Sequence, residues 1–207
     1  MYTASELEAK IRKCQHNDLQ KLWSDHVQDN FDYEFWAQGK LLEYVVLRGF
    51  ELEIESEKYE DYDGSVTYPY TVQDKEQGIN VVEQIDGAVH FDGLHALVEC
   101  KDYSSAKVKV EPLAKMRNQL ARRHSTVFGM FFTATNLTEA AKYLVRFMAP
   151  QLIIIWSKRD IECCINHECF IECMIKKYRM AIENCVYNYD FSIEKEGLET
   201  YFTESLF

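Results

Sequence analysis

The 207-residue chain contains only three prolines and eight glycines, too few for a fibrous or low-complexity disordered protein. It also lacks a basic excess: 23 Lys and Arg against 34 Asp and Glu give a formal net charge of −11. That balance excludes coating of nucleic acid by bulk charge, so a polyanion would have to meet a local patch. Long hydrophobic runs are missing as well. Val127 to Phe132 and Leu152 to Trp156 fall far short of the roughly 18 residues that span a bilayer, and a soluble protein without a membrane partner is expected. Seven cysteines, an odd number, do not suggest a disulfide framework, and Met1 to Glu6 lacks a basic stretch leading into an apolar one. A reducing cytoplasm is the expected compartment. No G-x-x-x-x-G-K-[ST] loop occurs, so any nucleotide hydrolysis would need a separate ATPase subunit. What is present, 47% hydrophobic and 28% charged residues, predicts one core-forming globular domain with room for an appendage.

Ser5 and Glu8 fit a capping box, with Leu7, Ile11 and Cys14 on one face of a short opening helix. A second helix is expected from about Asp32 to Arg48, striped by Phe35, Leu42, Val45 and Val46 and ended by Gly49. From Phe50 the period changes to two: Glu51, Glu53 and Glu55 alternate with Leu52 and Ile54, which predicts a strand with one wet face. Seven carboxylates between residues 51 and 63 lack the glycine-centred loop of an EF-hand, and a solvated acidic edge is the preferred reading over a cation site. Gly64 to Gly78 reads as a connecting loop. Strand-like segments follow at 85–91, 94–101, 126–133 and 152–156 with helical patterns between and after them, an order that predicts an α/β fold with a mixed central β-sheet flanked by helices.

Two of these segments form a hairpin. Asp92-Gly93 is a strong signal for a two-residue turn, and the register it sets places His90 opposite His95, Ala88 opposite Leu97, Asp86 opposite Glu99 and Gln84 opposite Lys101. One face then collects Ile85, Val89, Phe91, Leu94, Ala96, Val98 and Cys100; the other presents Gln84, Asp86, His90, His95, Glu99 and Lys101. Facing carboxylates are destabilising unless a cation bridges them or one takes a proton. Hard oxygen ligands suit Mg²⁺, with Mn²⁺ as a substitute, and Lys101 on the same face could reach a metal-bound water or a scissile phosphate. The constellation reads as metal-assisted phosphodiester hydrolysis by Asp86, Glu99 and Lys101. The alternative from the residues alone is an exposed salt-bridge cluster.

Ile85-Asp86-Gly87, twelve intervening residues and Glu99-Cys100-Lys101 resemble the PD-(D/E)xK nuclease motif, with Ile85 in place of its proline. Gly39 to Phe50 is similar to the first helix of Mrr-like restriction endonucleases. Gly129-Met130-Phe131-Phe132-Thr133 with Leu137-Thr138-Glu139-Ala140-Ala141 resembles their later strand and helix, so the similarity spans about residues 39–160. It implies a restriction-endonuclease-like core over 31–160, with an N-terminal helical extension (1–30) and a C-terminal one (161–207) packing on the core or a partner. It further implies metal binding by Asp86, Glu99 and the Cys100 carbonyl with assistance from Glu43, action of Lys101 on the attacking water, and substrate contact by Gln119. The implied activity is that of a Mg²⁺-dependent DNA endonuclease of restriction or defence type. A catalytically silent module of the same fold, binding nucleic acid or protein, is the alternative, motivated by the acidic total charge and the aromatic C-terminal region.

Residues 101–124 hold Lys101, Lys107, Lys109, Lys115, Arg117, Arg122 and Arg123 against Asp102 and Glu111, a local balance of +5 that leaves −16 for the remainder. A basic segment directly after the candidate catalytic strand is placed to hold DNA phosphates, with Arg117, Gln119 and Arg123 lining one approach. Cys163, Cys164, His167, Cys169 and Cys173 contain zinc-type ligands without paired C-x₂-C knuckles, and packing is the preferred reading. Ile161 to Val186 is apolar around much of its circumference. With Tyr187, Tyr189, Phe191, Tyr201, Phe202 and Phe207 it is expected to dock on its own domain or to form a homodimer contact. A recognition subunit is a further expected partner.

Overall fold

The computed structural model describes residues 3–28, 39–74, 79–102, 106–147 and 149–195. Helices α1 (Ala4–Ile11), α2 (His16–Val27) and α3 (Lys40–Ile54) open the chain, followed by a 3₁₀ turn at Glu57–Tyr59. Strands β1 (Gly64–Thr67), β2 (Tyr70–Asp74), β3 (Ile79–Ile85), β4 (Gly87–Phe91) and β5 (Leu94–Lys101) come next, then α4 (Val110–Ala121), β6 (Val127–Thr133), α5 (Glu139–Arg146) and β7 (Ile153–Trp156). Helices α6 (Lys158–His167), α7 (Phe170–Asn184) and α8 (Phe191–Lys195) close it. The five-stranded sheet runs β1-β4-β5-β6-β7, antiparallel through β1, β4 and β5 and parallel through β5, β6 and β7, while β2 and β3 pair separately. This is the mixed sheet flanked by helices that the order of segments predicts. Among the described residues no helix is long and apolar enough to cross a membrane.

Alternation along the strands sorts two cores. Val89, Phe91, Ala96, Val98, Cys100, Phe128, Met130, Phe132, Ile154 and Trp156 face a cluster completed by α1, α2, α3, α6 and α7; Leu97, Phe131, Ile153 and Ile155 face a smaller one under α4 and α5. Leu7, Ile11, Leu19 and Trp23 share the first cluster with the sheet. Phe191 is buried there too, with Tyr187 and Tyr189 partly so; Tyr201, Phe202 and Phe207 lie outside the described residues.

Several local expectations are corrected. The first capping box is made by Thr3 and Glu6, not Ser5 and Glu8. Gly49 does not end a helix: α3 continues to Ile54, and residues 50–54 are helical, not extended. Residues 32–38 of the expected helix lie outside the described residues. The alternating Glu pattern fails as a strand signal because tertiary partners hold two of the acids inside. Glu51 is 7% exposed and accepts from Arg48 Nη1 and the Tyr68 hydroxyl, each at 2.7 Å, and also pairs with Arg12. Glu53 is 3% exposed and accepts the main-chain N–H groups of Phe170 and Ile171 at the start of α7. Glu55 to Asp63 stays largely at the surface. The supposed loop from Gly64 contains the whole of β1 and β2, with 75–78 outside the described residues. Ile161–Val186 is two helices, broken where Glu168 takes a left-handed φ of 52°. Cys163, Cys164, Cys169 and Cys173 are buried free thiols packed in the first core, as the packing reading expects.

Candidate active site

Asp92 (φ 46°) and Gly93 (φ 79°) turn β4 into β5, both in the left-handed region that Asn, Asp and Gly tolerate. The register downstream of the turn is as read from the sequence: Phe91 with Leu94, His90 with His95, Ala88 with Leu97. The ladder stops at Gly87 with Val98, and the expected pairs of Asp86 with Glu99 and Gln84 with Lys101 do not form. Gln84 instead pairs with Thr71 in the small sheet, and Ile85 turns into the second core rather than the first. Gly87, the last paired residue, lies close under α3, where a Cβ would fall 2.6 Å from Leu47 Cδ2 and 3.1 Å from the Thr67 carbonyl oxygen.

The kink frees Asp86 to act as a side chain on the main chain of β5: its Oδ2 accepts the Cys100 N–H at 3.0 Å. Glu99 stands on β5, between β4 and β6, and is 1% exposed. Lys101 Nζ lies 2.6 Å from Glu99 Oε1, 3.8 Å from Asp86 Oδ2 and 3.0 Å from the Cys100 carbonyl oxygen. One cation thus lies within 4 Å of Asp86, Glu99 and the Cys100 carbonyl, three of the four groups expected at the metal. Burial by itself would lower the Lys101 pKa, yet Glu99 and Asp86 together raise it. A second ammonium, Lys115 on α4, donates to both Glu99 oxygens at 3.1 and 3.2 Å.

Glu43 reaches the same region from α3. It is 6% exposed, and burial first and the Asp86 charge second push its pKa up to about 7, against the pull of Lys40, whose Nζ is 2.6 Å away. Among the described residues no cluster of three or more His, Cys, Asp or Glu forms a metal nest; the donor set is two carboxylates and a carbonyl. Hard oxygen donors already gathered around a positive charge fit a small divalent cation that keeps several waters.

The basic segment divides into committed and uncommitted residues. Arg123 makes a two-pronged pair with Glu83 at 3.1 and 3.2 Å, and Arg122 adds a third bond at 3.1 Å. Gln119, expected at the substrate, is 3% exposed, and its amide donates to the Gln84 carbonyl at 3.0 Å, so it fixes the approach to Asp86 rather than facing solvent. Lys107, Lys109 and Arg117 are exposed, with no ion pair among the described residues. Sequence spacing missed Lys115 as a partner of Glu99, Lys40 as the partner of Glu43, and the pair of His26 on α2 with Asp102, at 2.9 Å, which ties α2 to the residue after Lys101. The contacts of Lys115 and His26 join separate elements and leave no local pattern, whereas Lys40 and Glu43 are an i,i+3 pair on α3 that helical spacing could have found.

The model of a restriction endonuclease catalytic family, Mrr_cat, matches residues 48–162, a span that holds Asp86, Glu99, Lys101 and Lys115 but not Glu43. No curated protein matches the chain. Among solved structures, the MspJI restriction endonuclease in complex with a 27-mer oligonucleotide is similar at 10% identity and TM-score 0.42, over 92% of this chain and 40% of that one. The DNA modification-dependent restriction endonuclease AspBHI follows at 14% and 0.41, over 90% and 43%. A protein of unknown function, AF1548, has 16% and 0.37, over 54% and 58%. The chain therefore spans 40 to 58% of the length of these structures. The family model covers more than half of the 207 residues, as the Mrr-like resemblance implied, and the chain belongs to the Mrr_cat restriction endonuclease family.

Proposed function

We propose that the chain is a divalent-metal-dependent DNA endonuclease. The observation that carries this reading is the meeting of Asp86, Glu99 and the Cys100 carbonyl at a single cationic point beside a second lysine. Asp86, Glu99 and the Cys100 carbonyl would hold Mg²⁺ or Mn²⁺, assisted by Glu43. When bound, the metal supplies Lewis-acid polarisation and acidifies a coordinated water. Lys101 would then leave the carboxylates and hold the attacking water or the charge that develops on the phosphate. Lys107, Lys109, Lys115 and Arg117 would bind backbone phosphates; Arg122 and Arg123, tied to Glu83, would contribute in a fixed orientation.

The test is cleavage of unmodified, methylated and branched DNA with Mn²⁺ or Mg²⁺ by the wild type, Asp86→Ala and Glu99→Ala, each checked by circular dichroism. Loss of cutting in folded variants is expected. Equal cutting by the purified Asp86→Ala/Glu99→Ala double variant would overturn the proposal.

A further inference from the structure

Helix α5 turns Ala141 and Val145 into the second core and leaves the opposite side to solvent. On that side Lys142, Tyr143, Arg146 and Phe147 are exposed, Tyr143 by 63% and Phe147, which follows the last turn, by 74%. A spacing of four sets the two rings one turn apart on one face. The segment after β5 runs beside the head of this helix. The Val108 N–H donates to the Asn136 carbonyl and the Thr138 N–H to the Val108 carbonyl, both at 2.9 Å, with a parallel bridge between Val108 and Leu137. Lys107 and Lys109 are thereby carried to the α5 side of the molecule. Glu139 is the acid on this face of the helix, and it is bonded to Lys142 at 2.8 Å; Lys107, Lys109 and Arg146 have no ion pair among the described residues.

In a chain of net charge −11, two exposed rings among cations match a partner with free π faces and regularly spaced negative charge. A single-stranded nucleic acid has both, whereas a duplex keeps its π faces inside the stack. A second copy meeting this face through a two-fold contact would set the same cations against each other. The face is also near Glu99 and Lys101 in sequence, since Lys107 lies six residues after the end of β5.

We propose that the α5 face, with Tyr143 and Phe147 as stacking platforms and Lys107, Lys109, Lys142 and Arg146 as phosphate contacts, binds single-stranded DNA. Resting on the nuclease reading above, the substrate class is DNA with an unpaired segment next to the scissile bond. Binding by the surface itself does not depend on cleavage.

The experiment compares, by fluorescence anisotropy in EDTA, a labelled oligothymidylate with a blunt duplex of the same length. The wild type binds the single strand more tightly. Tyr143→Ala/Phe147→Ala weakens single-strand binding by roughly tenfold or more, from a stacking contribution of about 1–3 kcal/mol per base, with a far smaller effect on the duplex. Tyr143→Phe/Phe147→Tyr, which keeps both rings, binds as the wild type does, and Arg146→Ala lowers the salt slope by about one. Substitutions at positions this exposed leave the fold intact, and circular dichroism checks it. The proposal is overturned if the wild type binds neither DNA or prefers the duplex, if the alanine pair binds the single strand unchanged, or if both DNAs lose the same factor. It is also overturned if sedimentation shows a wild-type dimer that becomes a monomer in the alanine pair, which makes the face an interface between copies. Metal-dependent cleavage is scored separately. Stacking without cleavage retires the nuclease reading and keeps the surface; cleavage with an indifferent alanine pair does the reverse.

Discussion

Lys101→Met removes the cation that Asp86, Glu99 and the Cys100 carbonyl share while keeping most of the side chain's length and bulk. The Glu99 contact at 2.6 Å and the Asp86 contact at 3.8 Å each represent a gross attraction of several kcal/mol at an effective dielectric of about 20. Much of that is offset by the cost of taking the charges out of water. Stripping one partner from a buried pair typically costs about 3–5 kcal/mol. Lys115 remains on Glu99 and Lys101 is itself 24% exposed, so a loss of about 2–3 kcal/mol is expected. For a domain of this size that lowers Tm by roughly 5–10 °C. The same change removes the ammonium shared by the three oxygen groups and leaves Lys115 alone on Glu99, so Mn²⁺ competes with less positive charge and stabilises the variant more than the wild type; about 2.7 kcal/mol follows at a hundred times Kd. The assay is thermal unfolding with and without Mn²⁺, with Lys101→Met/Asp86→Asn as the control that should lose the extra response. A Tm equal to wild type without metal, or equal Mn²⁺ shifts in the two proteins, would refute the claim that Lys101 bridges the carboxylates at the metal point.

Three further outcomes follow from the packing. Burial pushes the Glu53 pKa from 4.5 up to about 7, against the main-chain N–H groups of Ile171 and Phe170; a raised carboxyl pKa means stability that is present below pH 4.5 and lost as pH rises through 7. The stability of wild type relative to Glu53→Gln should therefore fall by roughly 3 kcal/mol across that window, and a pH-independent difference in urea denaturation would refute it. Lys177→Met leaves Asp160, 2.9 Å away and 2% exposed, without its cation and should cost about 3–5 kcal/mol, of which Asp160→Asn in the same chain restores a part; an additive double variant would contradict the pairing. Gly49→Ala should destabilise by about 1–3 kcal/mol despite the better helix propensity of alanine, because the new methyl group falls on the Phe170 ring, itself packed against Phe50; a higher urea midpoint would contradict it.

Much of the candidate site is legible in sequence because its parts are local. Asp92-Gly93 and alternating burial determine the β4–β5 register, and Glu99, Cys100 and Lys101 are consecutive, so their place at the end of one strand is settled by covalent spacing. The parallel strands β6 and β7 and the amphipathic α5 are likewise visible as short apolar runs and a helical period. What period alone misreads is 50–54: alternating glutamates resemble a wet strand edge, but Arg48, Tyr68 and the start of α7 hold Glu51 and Glu53 inside. No local pattern encodes partners 17 or 118 residues away. Asp86 shows the same division. The hairpin and the resemblance of the residues around it were enough to nominate both carboxylates, whereas the way they meet was decided by the tertiary structure: the ladder ends at Gly87, and the Asp86 carboxylate accepts the Cys100 N–H instead of standing across the strands from Glu99. Composition determined that only a patch of this acidic chain can meet a polyanion; packing decided which residues of that patch stay in water, by tying Arg122 and Arg123 to Glu83 and burying Gln119 while leaving Lys107, Lys109 and Arg117 exposed.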